Sequence, residues 1–287
     1  MANNYTNEEL KLIKELYDSG LGSPSIAKKL NNKYTVSAIA SLIKRKWGLR
    51  SSSQAAKKYT VNSDFFKKID TEEKAYWLGF LIADGYITSR DNKIGLSLCI
   101  DDIEHLEKFK KDINATYPIK IYNPSKTGYS EKQYCRIIIS DLMMYLSVQD
   151  YGLVEHKSNV LQPPNKKDIK GYEKDFIRGF FDGNGSITFT NTALHKNEYQ
   201  FKVISTDAFL DFIKEWIELN TSIKIKRYYK RKDEQIVSSI EVAGNYQVKE
   251  ILDLLYKDST VYLERKYNRY INLCNLLNSR SLQKCKD

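Results

Sequence analysis

The run WLGFLIADGYI (77–87) returns one hundred residues later as IRGFFDGNGSI (177–187), with Gly79 matched by Gly179 and Gly85 by Gly185. From Glu72 to Ala83 the pattern is apolar around nearly the whole helical circumference, which predicts a helix buried on every side. Gly79 and Ala83 lie four apart, as do Gly179 and Gly183, so each predicted helix stacks two small residues on one face where another backbone can approach closely. The partner such a face asks for is the other copy. Two helices side by side in the same direction, related by a pseudo-two-fold axis, bring residues 84 and 184 together at their C-terminal ends. Asp84 is then poorly placed as an isolated charge, because a helix C-terminus carries roughly half a negative charge. A divalent cation reverses the sign of that effect, and carboxylates and helix-end carbonyls are hard ligands suited to magnesium.

The chain of 287 residues is long enough for one large or two to three ordinary domains. With 41% hydrophobic and 12% aromatic residues it has the apolar material of a folded protein. The apolar run at 75–83 is far shorter than the roughly 20 residues of a membrane span, and the polar start at Met1 lacks a signal-peptide core. An intracellular, cytoplasmic protein of bacterial or phage-like type without a membrane partner is expected. Cys99, Cys135, Cys274 and Cys285 are scattered, and with three histidines they suggest neither a disulfide framework nor a zinc site.

The net charge of +10 points to a polyanionic partner. Residues 1–58 hold 11 Lys/Arg against 4 Asp/Glu, so most of the excess lies in the head. Thr6 and Glu9 form a capping-box pattern ahead of Leu10, Ile13, Leu16 and Tyr17; Ser23-Pro24 opens a second helix, and Thr35 or Ser37 a third through Ile39, Leu42 and Ile43. This stretch resembles the small helix-turn-helix heads of bacterial and phage DNA-binding proteins. That resemblance implies base contacts from Ser37 and Ser41 and phosphate contacts from Lys44, Arg45 and Lys46. The alternative is a protein-binding three-helix bundle with a solvated charged face. The expected organisation is a helix-turn-helix domain at 1–49, a basic linker at 50–64, and two repeats at 65–170 and 171–287.

The motifs WLGFLIADG and IRGFFDGNG, with the trailing segments YGLVEHKSNVLQPP (151–164) and STVYLERKYNRYINL (259–273), resemble those of the LAGLIDADG homing endonucleases in their single-chain form. The fold implied is α+β: two pseudo-symmetric αββαββα repeats whose saddle-shaped antiparallel sheets straddle double-stranded DNA, in a monomer. Strand-like stretches at 94–100, 134–140, 199–205 and 237–243 and amphipathic helices at 102–113 and 207–219 permit it. IKIKRYYKRK (223–232) carries six Lys/Arg in ten positions, so Lys224, Lys226, Arg227, Lys230, Arg231 and Lys232 are candidate DNA contacts. Arg90, Lys126 and Arg136 of the first repeat are further candidates.

The resemblance implies phosphodiester hydrolysis with Mg2+, for which Mn2+ or Ca2+ can substitute in the site. Asp84 carries the family's essential acid, and Asn184 stands where the second acid belongs. The carbonyls of Ala83 and Gly183 are candidates to complete the metal ligation. Lys157 and Lys266 sit at matching points of the two trailers, where they could polarise water or steady phosphate; the other reading makes them surface lysines capping a helix start. A neutral amide weakens a magnesium site without much change of shape. That leaves an engineered trap, a strand-biased nickase, or a DNA-binding transcription regulator built on a degenerate LAGLIDADG core. A splicing element is disfavoured by the ends of the chain, and a two-carboxylate glycosidase leaves the basic head unexplained.

Overall fold

The computed structural model describes residues 5–18, 20–48, 58–123, 132–192, 197–225, 228–230 and 237–284. They fall into two compact units, 1–61 with 114–117, and 62–113 with 118–287.

The first unit holds α1 (Asn7–Asp18), α2 (Ser23–Lys29) and α3 (Val36–Trp47). The capping box closes as its residue types require: the Thr6 amide donates to Glu9 Oε2 at 2.9 Å, and the Glu9 amide to Thr6 Oγ1 at 3.2 Å. Pro24 lies in the first turn of α2, and Thr35 caps α3 by accepting the Ala38 amide at 3.2 Å. Ile13, Ile26, Ala27, Tyr34, Ile39, Leu42 and Ile43 form the core.

The second unit contains two copies of one topology. The first runs α4 (Glu72–Asp84), β1 (Gly85–Thr88), β2 (Lys93–Cys99), α5 (Ile103–Asp112), β3 (Lys120–Tyr122), β4 (Tyr134–Ser140) and α6 (Leu142–Asp150). The second runs α7 (Glu173–Asn184), β5 (Gly185–Thr190), β6 (Glu198–Thr206), α8 (Asp207–Asn220), β7 (Tyr228–Lys230), β8 (Val237–Ala243) and α9 (Asn245–Tyr256), followed by α10 (Glu264–Lys284). Each forms a four-stranded antiparallel sheet, ordered β1-β2-β4-β3 and β5-β6-β8-β7. This is the α+β fold with two αββαββα repeats that the resemblance implies. No helix among the described residues is long and apolar enough to cross a membrane, and Cys99, Cys135 and Cys274 are free thiols.

The repeats meet along α4 and α7. A Cβ added at Gly79 would lie 2.0 Å from the Phe176 carbonyl oxygen, and one at Gly179 1.9 Å from that of Tyr76. Both distances are far inside van der Waals contact, and the offset of three residues is the same in each direction, as a two-fold relation demands. Gly79→Ala and Gly179→Ala must push the helices apart, and each is expected to cost about 3 kcal/mol of stability. Urea unfolding checks this; midpoints equal to that of the parent would contradict the packing.

Two polar ties run along the same interface. Arg178, wholly buried, donates through Nη2 to Glu72 Oε1 at 2.7 Å, through Nη1 to Asp175 Oδ1 at 2.8 Å, and through Nε to the Val261 carbonyl at 2.9 Å. Further along, buried Asp182 accepts Tyr76 Oη at 2.8 Å, Tyr256 Oη at 2.5 Å and the Leu263 amide at 2.7 Å. Because the Tyr76 hydroxyl hydrogen is spent on Asp182, its oxygen accepts from His105 Nε2 at 3.0 Å, which leaves His105 Nδ1 as the bare ring nitrogen. Burial pushes the His105 pKa down to about 3, so the ring is neutral at ordinary pH.

Candidate active site at the paired helix ends

The small-residue faces carry α4 and α7 into contact as far as their C-termini. A Cβ on Gly183 would sit 2.3 Å from Ala83 Cβ and 3.4 Å from Asp84 Cγ. Asp84 and Asn184, the last residues of their helices, therefore lie at one shared end. Asp84 is open to solvent, while Asn184 is half-buried. At Asn184 opens a cavity of about 380 Å³ whose lining includes Ala83, Gly183, Lys157, Ser158 and Ser205.

Lys157 and Lys266, at matching points of the trailers, reach back to the ends of the two motif helices. The Lys157 ammonium donates to the carbonyls of Leu81 at 3.2 Å, Ala83 at 2.7 Å and Gly85. That of Lys266 donates to Phe181 at 2.6 Å, Asp182 at 2.7 Å and Gly185 at 2.5 Å. An ammonium has three donors, and each lysine directs all of them at main-chain carbonyls gathered around a helix C-terminus, of which those of Leu81 and Phe181 also accept the amides of Gly85 and Gly185. The lysines thus cap helix ends, not helix starts, and Lys266 is buried rather than on the surface. They also place two cations where the helix dipoles and Asp84 concentrate negative charge.

The titration of the cluster follows from its crowding. Asp84 keeps an exposed face, yet the protein crowded around its carboxyl removes enough water to push it above the usual range, while Lys157, Lys266 and Arg265 pull it back. Burial brings Lys157 and Lys266 down to about 8, opposed at Lys157 by Asp84 and at Lys266 by Asp182 and Asp84. Asp182 is itself raised by burial, against the pull of Lys266 and the bonds from its tyrosines and the Leu263 amide.

A divalent cation at this end fits some of the expected donors better than others. The Asp84 carboxylate is a hard, solvent-facing ligand, and Asn184 adds one neutral oxygen. The Ala83 carbonyl, expected to face a metal, instead accepts the Lys157 ammonium, which makes it a poor partner for a second cation. Among the described residues, no group of three or more His, Cys, Asp or Glu gathers as a metal cluster.

The remaining candidates spread over both units. Ser37, Ser41, Lys44, Arg45 and Lys46 are exposed on α3, Arg90 is exposed after β1, and exposed Lys224 donates to the Glu218 carbonyl at 3.5 Å. Arg136 lies on β4. Lys126, Lys226, Arg227, Arg231 and Lys232 lie outside the described residues, as does the side chain of Lys230. Arg178, Asp175 and Asp182 were missed, although aligning the repeats matches Arg178 with Leu78 and Asp182 with Ile82, two buried positions.

No family model matches the chain, and no curated protein matches it. Among solved structures, it is similar to the LAGLIDADG meganuclease I-CpaMI bound to uncleaved DNA, at 14% identity over 72% of this chain and 92% of that one, with a TM-score of 0.47. It is similar also to the LAGLIDADG homing endonuclease I-LtrWI bound to target DNA, at 13% identity over 76% and 92%, with a TM-score of 0.47. A third is I-GzeII in complex with its DNA target, at 12% over 72% and 91%, with a TM-score of 0.49. Two motif helices, each packing its glycine on the main chain of the other and each leading into its own four-stranded antiparallel sheet within one polypeptide, give this chain a two-repeat α+β fold.

Proposed function

We propose that the chain is a site-specific DNA endonuclease of the homing type that cuts one strand preferentially. The observation that carries this reading is the unequal pair at the helix ends: an accessible carboxylate at Asp84 beside an amide at Asn184, backed by two lysines. In this reading double-stranded DNA lies across the outer faces of both sheets, and Asp84 and Asn184 approach the backbone. Asp84 and Asn184 are the side chains that would hold a divalent cation, which when bound supplies an activated nucleophile and offsets charge at phosphate. Asp84 contributes the anion that binds it. Lys157 and Lys266 hold the helix ends in place and temper the negative potential that would repel a phosphate; with their donors occupied, they act by position and charge, not as proton carriers. The exposed α3 positions Ser37, Ser41, Lys44, Arg45 and Lys46 form a second contact surface of helix-turn-helix type.

A DNA-binding regulator is the second reading, favoured by Asn184 and by the engagement of the Ala83 carbonyl with Lys157. One experiment separates them: selection from a randomised duplex library, followed by incubation of the recovered duplexes with Mg2+. Binding should weaken steeply with salt, by several units on a log–log plot at about 0.9 per neutralised phosphate, and deletion of residues 1–58 should make that slope shallower. Nicking of the selected duplexes is the expected result; tight binding with no cut in Mg2+ or Mn2+ would move the chain to the regulator reading.

A further inference from the structure

The outer face of the first sheet holds an arginine in a cage. Strand register sets Tyr86 opposite Gly95, Ser97 opposite Arg136, Lys120 opposite Arg136, and Tyr122 opposite Tyr134. Side chains opposite one another, or two apart on a strand, share a face, so Arg136 stands among these residues. Its guanidinium carbon lies 5.3 Å from the ring centres of Tyr122 and Tyr134 and 5.8 Å from that of Tyr86. Tyr122 and Tyr134 stack on each other at 5.0 Å. Arg136 Nε donates to Ser97 Oγ at 2.7 Å. Gly95 makes the third ring possible, since a Cβ there would lie 2.1 Å from Tyr86 Cζ. Among the described residues, neither terminal nitrogen of Arg136 has a hydrogen-bond partner.

Among the described residues, the second sheet shows no such cage. Aligning the repeats by strand register puts Ser239 where Arg136 stands, and the nearby Lys202 is neutralised by Glu241 at 2.6 Å. Arg136 therefore presents an orientationally fixed cation, with no ion-pair partner among the described residues, on an inner strand of the first sheet.

We propose that Arg136 reads a guanine in the half of the target facing the first sheet, an inference that rests on the sheets lying along DNA. A phosphate accepts donors from many directions and needs no fixed plane. The guanine edge offers two acceptors, O6 and N7, in a set plane, and a bidentate arginine is their usual partner. With Nε held by Ser97, the two terminal nitrogens remain as the fork, and the tyrosines hold that fork with little rotamer freedom left to lose. Ser97, Tyr86, Tyr122 and Tyr134 are positioning residues.

The test compares base preferences selected from a randomised duplex library by the parent and by Arg136→Lys, which keeps the charge and removes the fork. The parent should prefer guanine at one position in one half-site. Arg136→Lys should lower that preference by about tenfold to a hundredfold there alone, with the salt slope unchanged. Tyr122→Phe, which keeps the ring, should retain the preference, and Tyr122→Leu should relax it. A parent that binds DNA, paired with an Arg136→Lys variant whose preferences are unaltered or whose affinity falls evenly across sequences, would make Arg136 a phosphate contact and overturn the inference alone. A parent that recovers no DNA overturns it together with the DNA-binding reading.

Discussion

Asp84→Asn is expected to abolish strand cleavage, and Asn184→Asp to add cleavage of the second strand. The first replaces one oxygen by nitrogen and the second one nitrogen by oxygen at the same shared helix end, so they alter charge with little change of shape. Asp84 is open to solvent and is the one carboxylate of the unequal pair. Removing it should lower the cleavage rate by more than about a hundredfold, the loss seen even for outer partners of metal ligands, while DNA binding persists. Asn184→Asp places a second anion beside the first. Repulsion should then destabilise the metal-free protein, and added Mg2+ should recover the loss by binding the folded state. Lys157 and Lys266 soften that repulsion. Strand-specific rates with melting curves ± Mg2+ check both variants; cleavage undiminished in Asp84→Asn would remove the carboxylate from the chemistry.

Lys266→Met is expected to be the most destabilising of the charge-removing changes, at about 3 kcal/mol, because the carbonyls of Phe181, Asp182 and Gly185 lose an ionic donor at a buried helix end. The pH dependence distinguishes this from simple loss of volume. A lysine ordinarily near 10.5 is lowered to about 8 in the folded chain, so between these values the unfolded chain binds more protons. Stability from this residue therefore rises with pH across that window, by at most about 1.4 kcal/mol per unit. Lys266→Met should lose that rise together with the stability. Urea titrations at pH 7.5, 9 and 10.5 measure it; a variant with the parent's pH slope would place the titrating group elsewhere.

The repeat alone made the helix pair legible. Gly79, Ala83, Gly179 and Gly183 required a close partner, and only the other copy offered a matching face. Strands β2, β4, β6 and β8 were legible, as in YCRIIIS, which is β4 to the residue, whereas the short β1, β3, β5 and β7 were not. The polar ties were not. A charged residue within a helix ordinarily faces solvent, and neither Arg178 nor Asp182 announces the Glu72, Tyr76 and Tyr256 groups that satisfy it from distant segments. The lysines were legible as a matched pair but not in their task, because their partners are main-chain carbonyls, which every residue carries alike. Their position also changes the account of Asp84: the helix dipole and the carboxylate are offset by the protein's own ammonium groups as well as by any bound cation.

Mapping cuts on each strand of a selected duplex, with the parent chain and Mg2+, tests the proposed chemistry most directly. One carboxylate at the paired helix ends predicts a single nick, on one defined strand, absent in Asp84→Asn. Equal cutting of both strands by the parent chain would contradict it.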